Sequence, residues 1–223
     1  MPASAPEADR ARALALIRGL ADVSRETEAK LDRLAALVGQ WQRVQNLVAP
    51  STLPHLWTRH IADSAQLHPL LDAASPVVDL GSGAGFPGLV LAILGDGRRR
   101  VTLIEANGRK AAFLREAARQ LNLAADVRNM RIEAADATAI PARYVTARAL
   151  AALPELVALA APWLEKGATA LFLKGQDVDE ELQALSTSWD FGYEKVPSVT
   201  DPAGSVVALS DLTRKALRGS RRP

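Results

Sequence analysis

The sequence predicts an α/β fold: a seven-stranded, mostly parallel sheet with helices on both faces. Three observations support this prediction. Short apolar runs alternate with helix-like patterns from residue 76 onwards, a glycine-rich segment follows the first run, and two strand-like pieces near the C-terminus flank the turn sequence TDPAG. Such alternation indicates βαβ units and a parallel sheet that is covered on both sides. The last two pieces predict an antiparallel hairpin, because Asp-Pro and Gly are turn residues.

The elements of the core follow from the periodicity of apolar residues. Five short runs are predicted parallel strands: Pro76 to Leu80, Val101 to Ile104, Ala125 to Met130, Tyr144 to Ala147 and Thr169 to Leu173. The clearest helix between them covers residues 107–121, where apolar residues recur every three or four positions. Trp163 follows Pro162 directly before a predicted strand, and we predict that it packs in the core.

The first 72 residues predict helices added to this core. A helical pattern extends to Val44, with Ser24 as a favourable N-cap, and Trp41 lies on its apolar face. A second helical pattern begins at Leu56 and ends near Pro69. We therefore expect four regions, namely a disordered N-terminus at 1–8, a helical extension at 9–72, the α/β domain at 73–213 and a basic C-terminal tail at 214–223.

The composition of the 223-residue chain is typical of a globular protein, with 48% apolar and 23% charged residues. Its apolar runs are far shorter than the ~18 residues of a membrane span, so we expect no membrane contact. The first residues, MPASAPEADRAR, carry acids before any apolar run, unlike a secretory signal, which predicts a cytoplasmic protein. With no cysteine and three irregularly spaced histidines, the sequence predicts neither a disulfide nor a metal site.

The segment VVDLGSGAGFPGLVLAI, residues 77–93, predicts a ligand site at the end of the first strand. Its glycines are Gly81, Gly83, Gly85 and Gly88. They let the backbone turn sharply and approach a ligand closely. Glu105 ends the next strand, where a carboxylate can accept hydrogen bonds from both hydroxyls of a ribose. Loop and acid together predict a nucleoside-containing ligand, while the alternative for Glu105 is a helix-capping acid near Asn107.

Two kinds of nucleoside ligand fit this loop. The range Gly83–Gly88 matches the dinucleotide pattern G-x-G-x-x-G, which would make the chain an NAD-dependent oxidoreductase. The glycines also alternate directly after Asp79, and this order, with seven strands and a terminal hairpin, resembles the Rossmann-like fold of S-adenosylmethionine-dependent methyltransferases. Asp79 can alternatively be a strand-end acid whose carboxylate is capped by backbone amides. Only a hairpin follows the sheet, where an oxidoreductase usually needs a substrate domain, and this favours the methyl donor.

Six segments carry a narrower resemblance, and they occur in this order: NLVAPSTLPHLWTRHIADSAQL, VVDLGSGAGFPGLVLAI, LIEANGRKAAFLREAARQLNL, VRNMRIE, VTARALAALPEL and LFLKG. Together they resemble the RsmG (GidB) family of bacterial small-subunit rRNA methyltransferases over residues 41–175. The resemblance implies methyl transfer from S-adenosylmethionine to N7 of a guanine in 16S rRNA, guanine 527 of the 530 loop. It implies 16S rRNA or the small ribosomal subunit as the partner, and we expect the protein to be a monomer.

The resemblance also implies residues that bind the methyl donor, S-adenosylmethionine, in addition to Asp79, Gly83, Gly85 and Glu105. By position these are Gly81, Phe86, Ile132, Glu133 and Arg148. The family more often has alanine at the position of Ile132. Guanine N7 carries a lone pair and no proton, so its methylation needs no general base. We therefore expect no dedicated catalytic residue and no metal, with Arg148 and Lys174 as the nearest candidates for a direct role.

Basic residues near the expected cleft and at the C-terminus are the candidates for RNA contact. They are Arg59, His60, Lys174, Arg214, Lys215 and Arg218. The roles of Asn46, His60 and Asp63 stay open, because each can instead be a cap or a hydrogen-bonded packing residue. The basic tail also suits a non-catalytic RNA-binding factor of ribosome assembly, which is the second alternative function.

Overall fold

The computed structural model describes residues 4–215. The described helices are α1 (Ala5–Arg18), α2 (Arg25–Trp41), α3 (Asp63–Ala65), α4 (Gly88–Leu94), α5 (Gly108–Gln120), α6 (Leu153–Leu164) and α7 (Val178–Leu185). The strands are β1 (Val77–Leu80), β2 (Val101–Ile104), β3 (Ala125–Arg128), β4 (Tyr144–Arg148), β5 (Thr169–Lys174), β6 (Trp189–Pro197) and β7 (Ser205–Arg214). Short 3₁₀ turns cover Pro50–His55, His68–Leu70 and Ile132–Ala134, and a π-helical segment covers Trp57–Ala62.

The seven strands form one sheet in the order β3-β2-β1-β4-β5-β7-β6. Strands β1 to β5 are parallel, and β7 pairs antiparallel with both β5 and β6. Leu80 pairs with Ile104 on one side and with Ala147 on the other, so the carboxyl ends of the three central strands lie at one edge. The predicted fold class, with its C-terminal antiparallel pair, is confirmed.

Each face of the sheet has its own hydrophobic core. The N-terminal helices pack on the face that carries α4 and α5, while α6 and α7 cover the other face. Trp41 of α2 contacts Phe113 of α5 edge to face, with ring centroids 5.6 Å apart. Trp163 is 1% exposed, and its indole nitrogen donates to the carbonyl of Ile140 at 2.8 Å. The prediction that both tryptophans pack in the core is confirmed.

The predicted disorder of residues 1–8 is wrong for residues 5–8, which form the first turns of α1. The carboxylate of Glu7 accepts hydrogen bonds from the backbone amide and the hydroxyl of Ser4, each at 2.8 Å. This pairing caps the helix N-terminus, where backbone amides otherwise have no partner. A polar, proline-containing segment can therefore begin a helix when its acid lies three residues after a serine.

The segment predicted as one helix from Leu56 is divided into π, α and 3₁₀ turns. The carboxylate of Asp9, in α1, accepts hydrogen bonds from the backbone amides of Trp57 and Thr58 at 2.9 and 3.3 Å. Asp9 thereby fixes the start of the π-helical segment against α1. A partner 48 residues away in the chain leaves no mark in the local periodicity.

Strand boundaries also differ from the predictions: β1 begins one residue later, β4 and β5 end one residue later, and β3 ends two residues earlier. β3 ends at Arg128 instead of Met130, because the side-chain amide of Asn129 donates to the carbonyl of Glu105 at 2.8 Å. Arg214, predicted as the start of the basic tail, is the last residue of β7. Arg218 lies outside the described residues.

Candidate active site

The glycine loop between β1 and α4 adopts a backbone that favours glycine. Gly81, Gly83 and Gly85 have φ angles of +62°, +56° and +87°, in the left-handed region that side chains disfavour. A Cβ on Gly81 would lie 2.7 Å from a methyl carbon of Leu150, and one on Gly85 would overlap Leu89. Conformation and space therefore both require glycine at the first and third positions.

Asp79 supports this loop from inside the protein. Its side chain is fully buried, and it accepts hydrogen bonds from the hydroxyl of Thr146 at 2.9 Å and the backbone amide of Gly88 at 3.2 Å. Burial raises the pKa of Asp79 to about 6. The structure thus places Asp79 behind the loop as a capped strand-end acid, not on the surface of a cleft.

Glu105, at the end of the neighbouring strand, stabilises the loop through hydrogen bonds. One carboxylate oxygen accepts the backbone amide of Gly83 at 2.8 Å, and the other accepts that of Asn107 at 2.7 Å. The capping alternative is therefore present in the structure. Each carboxylate oxygen still has acceptor capacity, because an ionised carboxylate offers about four lone-pair sites. Binding of a ribose by Glu105 stays a prediction.

A cleft of about 400 Å³ opens above the glycine loop, at the carboxyl ends of β1 and β2. We call it the loop cleft, and among the residues that line it are Gly81, Gly83, Glu105, Ile132, Glu133, Ala149 and Leu150. Five residues predicted to bind the donor therefore meet at one place. Gly85 instead faces Leu89 and Leu114 in the interior, and Phe86 is 4% exposed.

A second cleft, of about 280 Å³, adjoins the first at the ends of β4 and β5. We call it the arginine cleft, and its wall includes Thr52, Arg59, His60, Asp63, Arg148, Ala149, Lys174, Thr200, Asp201 and Ser205. Ala149 borders both clefts and has a φ of +49°, which is uncommon for a residue with a side chain. One residue, directly after β4, therefore borders both spaces.

Arg148 is held by the helical turn of the N-terminal extension. Its guanidinium donates to the carbonyl of Arg59 at 2.9 Å and to Nδ1 of His60 at 2.6 Å, and it lies 3.5 Å from a carboxylate oxygen of Asp63. Phe86 lies under it, with the guanidinium carbon 5.5 Å from the ring centroid. The resemblance implies that Arg148 binds the donor, but the structure places its side chain in the arginine cleft.

The contacts of His60 fix its protonation state and its tautomer. A guanidinium cannot accept a hydrogen bond, so Nδ1 of His60 must be the acceptor from Arg148. Nε2 must then carry the proton and donate to the hydroxyl of Thr52 at 2.8 Å, and that hydroxyl donates to the carbonyl of Ala49. Burial and the nearby cations lower the pKa of His60 to about 3. Of the two interpretations left open, the hydrogen-bonded packing residue is the one that the structure supports.

The predicted RNA-binding side chains are mostly engaged within the protein. Arg59 pairs with Asp201 at 2.8 Å. Lys174 pairs with Glu181 at 2.6 Å and donates to the carbonyl of Ala151 at 3.0 Å. Of the five predicted residues within positions 4–215, three border the arginine cleft: Arg59, His60 and Lys174.

Arg214 and Lys215 lie away from both clefts. β7 is antiparallel to β5, with Ser205 opposite Lys174 at the carboxyl end and Leu209 opposite Ala170. Arg214 is therefore at the amino-terminal edge of the sheet, where its guanidinium lies 4.7 Å from the ring centroid of Trp189. An RNA that contacts these two residues and the clefts at the same time would have to extend from one edge of the sheet to the opposite edge.

Sequence reasoning does not identify several residues that shape the site. The sequence indicates Thr200 and Asp201 only as part of a turn, yet that turn walls the arginine cleft. Thr52 and Ala149 carry no pattern that periodicity detects. Asn46 lies outside both clefts, in a surface groove beside Lys110. Among residues 4–215, no group of histidines and carboxylates is arranged to hold a metal ion, and no helix is long and apolar enough to cross a membrane.

The sequence is similar to a known protein family and to individual members of it. Residues 27–205 match the family described as GidB, rRNA small subunit methyltransferase G. The ribosomal RNA small subunit methyltransferase G of Methylobacterium nodulans is 47% identical over 208 residues, which cover 92% of this chain and 96% of that protein. The protein of the same name from Rhodospirillum centenum is 50% identical over 197 residues, 88% of this chain and 89% of that protein.

Solved structures with the same fold are more distant in sequence. A SAM-dependent O-methyltransferase from Thermotoga maritima superposes with a TM-score of 0.54 at 16% identity, covering 82% of this chain and 73% of that one. M. jannaschii TYW2 in complex with AdoMet gives a TM-score of 0.54 at 15% identity, covering 70% of this chain and 76% of that one. At these identities the likeness concerns the fold.

Proposed function

The chain belongs to the rRNA small subunit methyltransferase G family, and from this premise we propose that it transfers a methyl group from S-adenosylmethionine to N7 of a guanine in 16S rRNA. Guanine 527 of the 530 loop is the target that the family resemblance implies. The family assignment leaves the oxidoreductase alternative without support. We further propose that the protein acts in the cytoplasm as a monomer.

The loop cleft suits the methyl donor in size and chemistry. Its volume of about 400 Å³ is within the ~300–1,000 Å³ of small-ligand pockets. Gly81 and Gly83 let the backbone come close to the ligand, and Glu105 keeps lone pairs for ribose hydroxyls. Ile132 and Glu133, which also line this cleft, would frame the adenine. The donor, when bound, supplies a methyl group already activated by its sulfonium.

The observation that carries the proposal is that Ala149 borders both clefts. A base in the arginine cleft would lie directly beside the donor, and such positioning can contribute on the order of 7–11 kcal/mol to catalysis. Both ring nitrogens of His60 are engaged, so this side chain holds Arg148 and does not take a proton from the substrate. This arrangement suits guanine N7, which has no proton to remove.

The test is methylation of small subunits and of free 16S rRNA isolated from cells that lack the modification. We expect labelled methyl from S-adenosylmethionine to enter the rRNA at one guanine, mapped by strand cleavage at N7-methylguanine. Label at another atom or base would contradict the proposed target. Donor binding without any label in either substrate would instead favour the assembly-factor alternative.

A further inference from the structure

Asp63 is held in the arginine cleft by one of its two carboxylate oxygens. Oδ1 accepts hydrogen bonds from the side-chain amide of Gln66 at 2.8 Å and from the hydroxyl of Thr200 at 2.6 Å. Oδ2 makes, among the described residues, only the 3.5 Å contact with Arg148. The side chain is 19% exposed, and it borders the cleft. One oxygen is therefore anchored, and the other is left for a ligand.

This free oxygen lacks the donors that a buried charge needs. Burial raises the pKa of Asp63, since removing a carboxylate from water disfavours its charged form. The contact with Arg148 is longer than a good charge-assisted hydrogen bond of about 2.7–2.9 Å. A ligand with two adjacent N–H donors would supply what Oδ2 lacks.

Hydrogen-bond donors and an acceptor lie side by side in the wall of the arginine cleft. Ala149 borders both clefts, Arg148 precedes it in the chain, and the guanidinium of Arg148 lies 3.5 Å from a carboxylate oxygen of Asp63. The guanidinium has five N–H donors, of which two make hydrogen bonds within the protein, so others are available to a ligand. The wall of the arginine cleft therefore offers hydrogen-bond donors from Arg148 beside an acceptor on Asp63.

The edge of guanine can complement such an adjacent pair of groups. N7 and O6 are acceptors, and the N1–H and N2–H₂ donors follow O6 around the ring. With N7 beside Ala149, O6 would face Arg148 and the N–H donors would face Asp63. Adenine has the N6–H₂ donor where guanine has O6, and it has the acceptor N1 where guanine has a donor. Adenine in the same orientation would place donor against donor and acceptor against acceptor.

We propose that Asp63 is a specificity-determining residue that accepts hydrogen bonds from N1–H and N2–H₂ of the target guanine, while Arg148 donates to O6. This assignment rests on the proposed function and deepens it. It gives the N-terminal extension a role in reading the base, because Asp63 comes from the same helical segment that holds Arg148.

The test compares guanosine with inosine, which lacks only the 2-amino group, at the target position of an otherwise identical rRNA substrate. For the wild-type protein we expect kcat/KM to fall roughly 10- to 100-fold with inosine, as for loss of a hydrogen bond to a charged group. In Asp63→Asn this ratio should contract to about threefold or less, because the charged acceptor is gone. The matched control is Asp201→Asn, at the rim of the same cleft, which should keep the wild-type ratio.

Each outcome has a distinct meaning. An unchanged ratio in Asp63→Asn, with both substrates slowed equally, would overturn the proposal and assign Asp63 a purely structural role. Wild-type protein that methylates both substrates equally well would overturn it without any variant, even if Asp63→Asn does not fold. Failure of the wild type to methylate guanosine N7 in any rRNA would contradict the proposed function instead. Donor affinity, measured by calorimetry, should be the same in the wild type and in Asp63→Asn.

Discussion

At the scale of single residues, the site is built from side chains whose partners fix their chemical state. His60 is neutral because it is buried and faces a guanidinium that can only donate. Asp79 and Glu105 use part of their acceptor capacity on the backbone of the glycine loop. These carboxylates and this imidazole thus organise the clefts before any ligand is bound.

Replacing Glu105 should weaken donor binding and leave the fold intact. Glu105→Ala removes an acceptor for the ribose hydroxyls and the two hydrogen bonds that hold Gly83 and Asn107, so we expect an affinity loss of a few kcal/mol at most. Calorimetric titration with S-adenosylmethionine measures it. Asp126→Ala, an exposed acid paired with Arg128, is the control and should bind as the wild type does. If the wild type and both variants bind S-adenosylmethionine with equal affinity, the assignment of Glu105 to the methyl-donor site is contradicted.

The neutral state of His60 predicts a dependence of stability on pH. The pKa falls from 6.5 when unfolded to about 3 when folded, so the unfolded chain binds more protons between these values. The contribution of His60 to stability is therefore complete above pH 6.5 and is lost as the pH falls towards 3. His60→Gln should lower the free energy of unfolding at both pH values. We expect this decrease to be about 2 kcal/mol smaller at pH 5 than at pH 8, as measured by denaturant unfolding.

Comparison with the wild type at each pH isolates this effect. Asp79 has the opposite sign, because its pKa is raised to about 6, and its contribution falls as the pH rises from about 4 to 6. Both proteins contain Asp79, so its contribution cancels in the difference. A cost of His60→Gln that is the same at both pH values would show that the imidazole is not held neutral by its surroundings.

At the scale of elements, the helical turn that contains Arg59, His60 and Asp63 fastens the N-terminal extension to the end of β4. Both hydrogen-bond acceptors of the Arg148 guanidinium, and the carboxylate 3.5 Å from it, come from this segment. Asp9 fixes the start of the same segment from α1. The extension is therefore part of the site and not an appendage to the sheet.

The contact between α4 and the sheet depends on glycine at position 88. A Cβ there would overlap Leu103 and lie 2.8 Å from a carboxylate oxygen of Asp79. We expect Gly88→Ala to destabilise the protein by roughly 1–3 kcal/mol, the cost of overpacking a filled core, as measured by the free energy of unfolding. Gly39→Ala is the matched control: it has open space in α2 and should stabilise by about 0.5–1 kcal/mol. Equal effects of the two substitutions would contradict the packing role of Gly88.

At the scale of the whole molecule, the sheet separates two basic regions. Arg148, Arg59 and Lys174 lie at the carboxyl edge, while β7 carries the chain to the amino-terminal edge at Arg214. The remaining basic residues of the C-terminus, beyond residue 215, lie outside the described part of the chain. Their contribution to RNA binding is a prediction from charge alone.

Removal of those residues should affect RNA and donor differently. Truncation after Leu217 deletes Arg218, Arg221 and Arg222, so RNA affinity should fall while donor affinity stays unchanged. The slope of log affinity against log salt should decrease by up to ~0.7–0.9 for each phosphate that the truncated protein no longer neutralises. Replacement of the three arginines by lysine is the control and should preserve most of the binding. An equal loss of affinity for both ligands would mean that the C-terminus is structural.

The sequence by itself determined the α/β class, the glycine loop and the family, because apolar periodicity, glycine spacing and ordered motifs are local signals. It also indicated Gly83 and Glu105 as neighbours, since parallel strands bring their carboxyl ends to one edge. The family resemblance implied Gly81, Ile132 and Glu133, and all five residues border the loop cleft. The tertiary structure alone decided the protonation state of His60, which carboxylate oxygen of Asp63 accepts hydrogen bonds, and the edge of the sheet at which Arg214 lies. Each of these depends on partners or strand directions that meet only after folding, across as many as 137 residues of chain between Asp63 and Thr200.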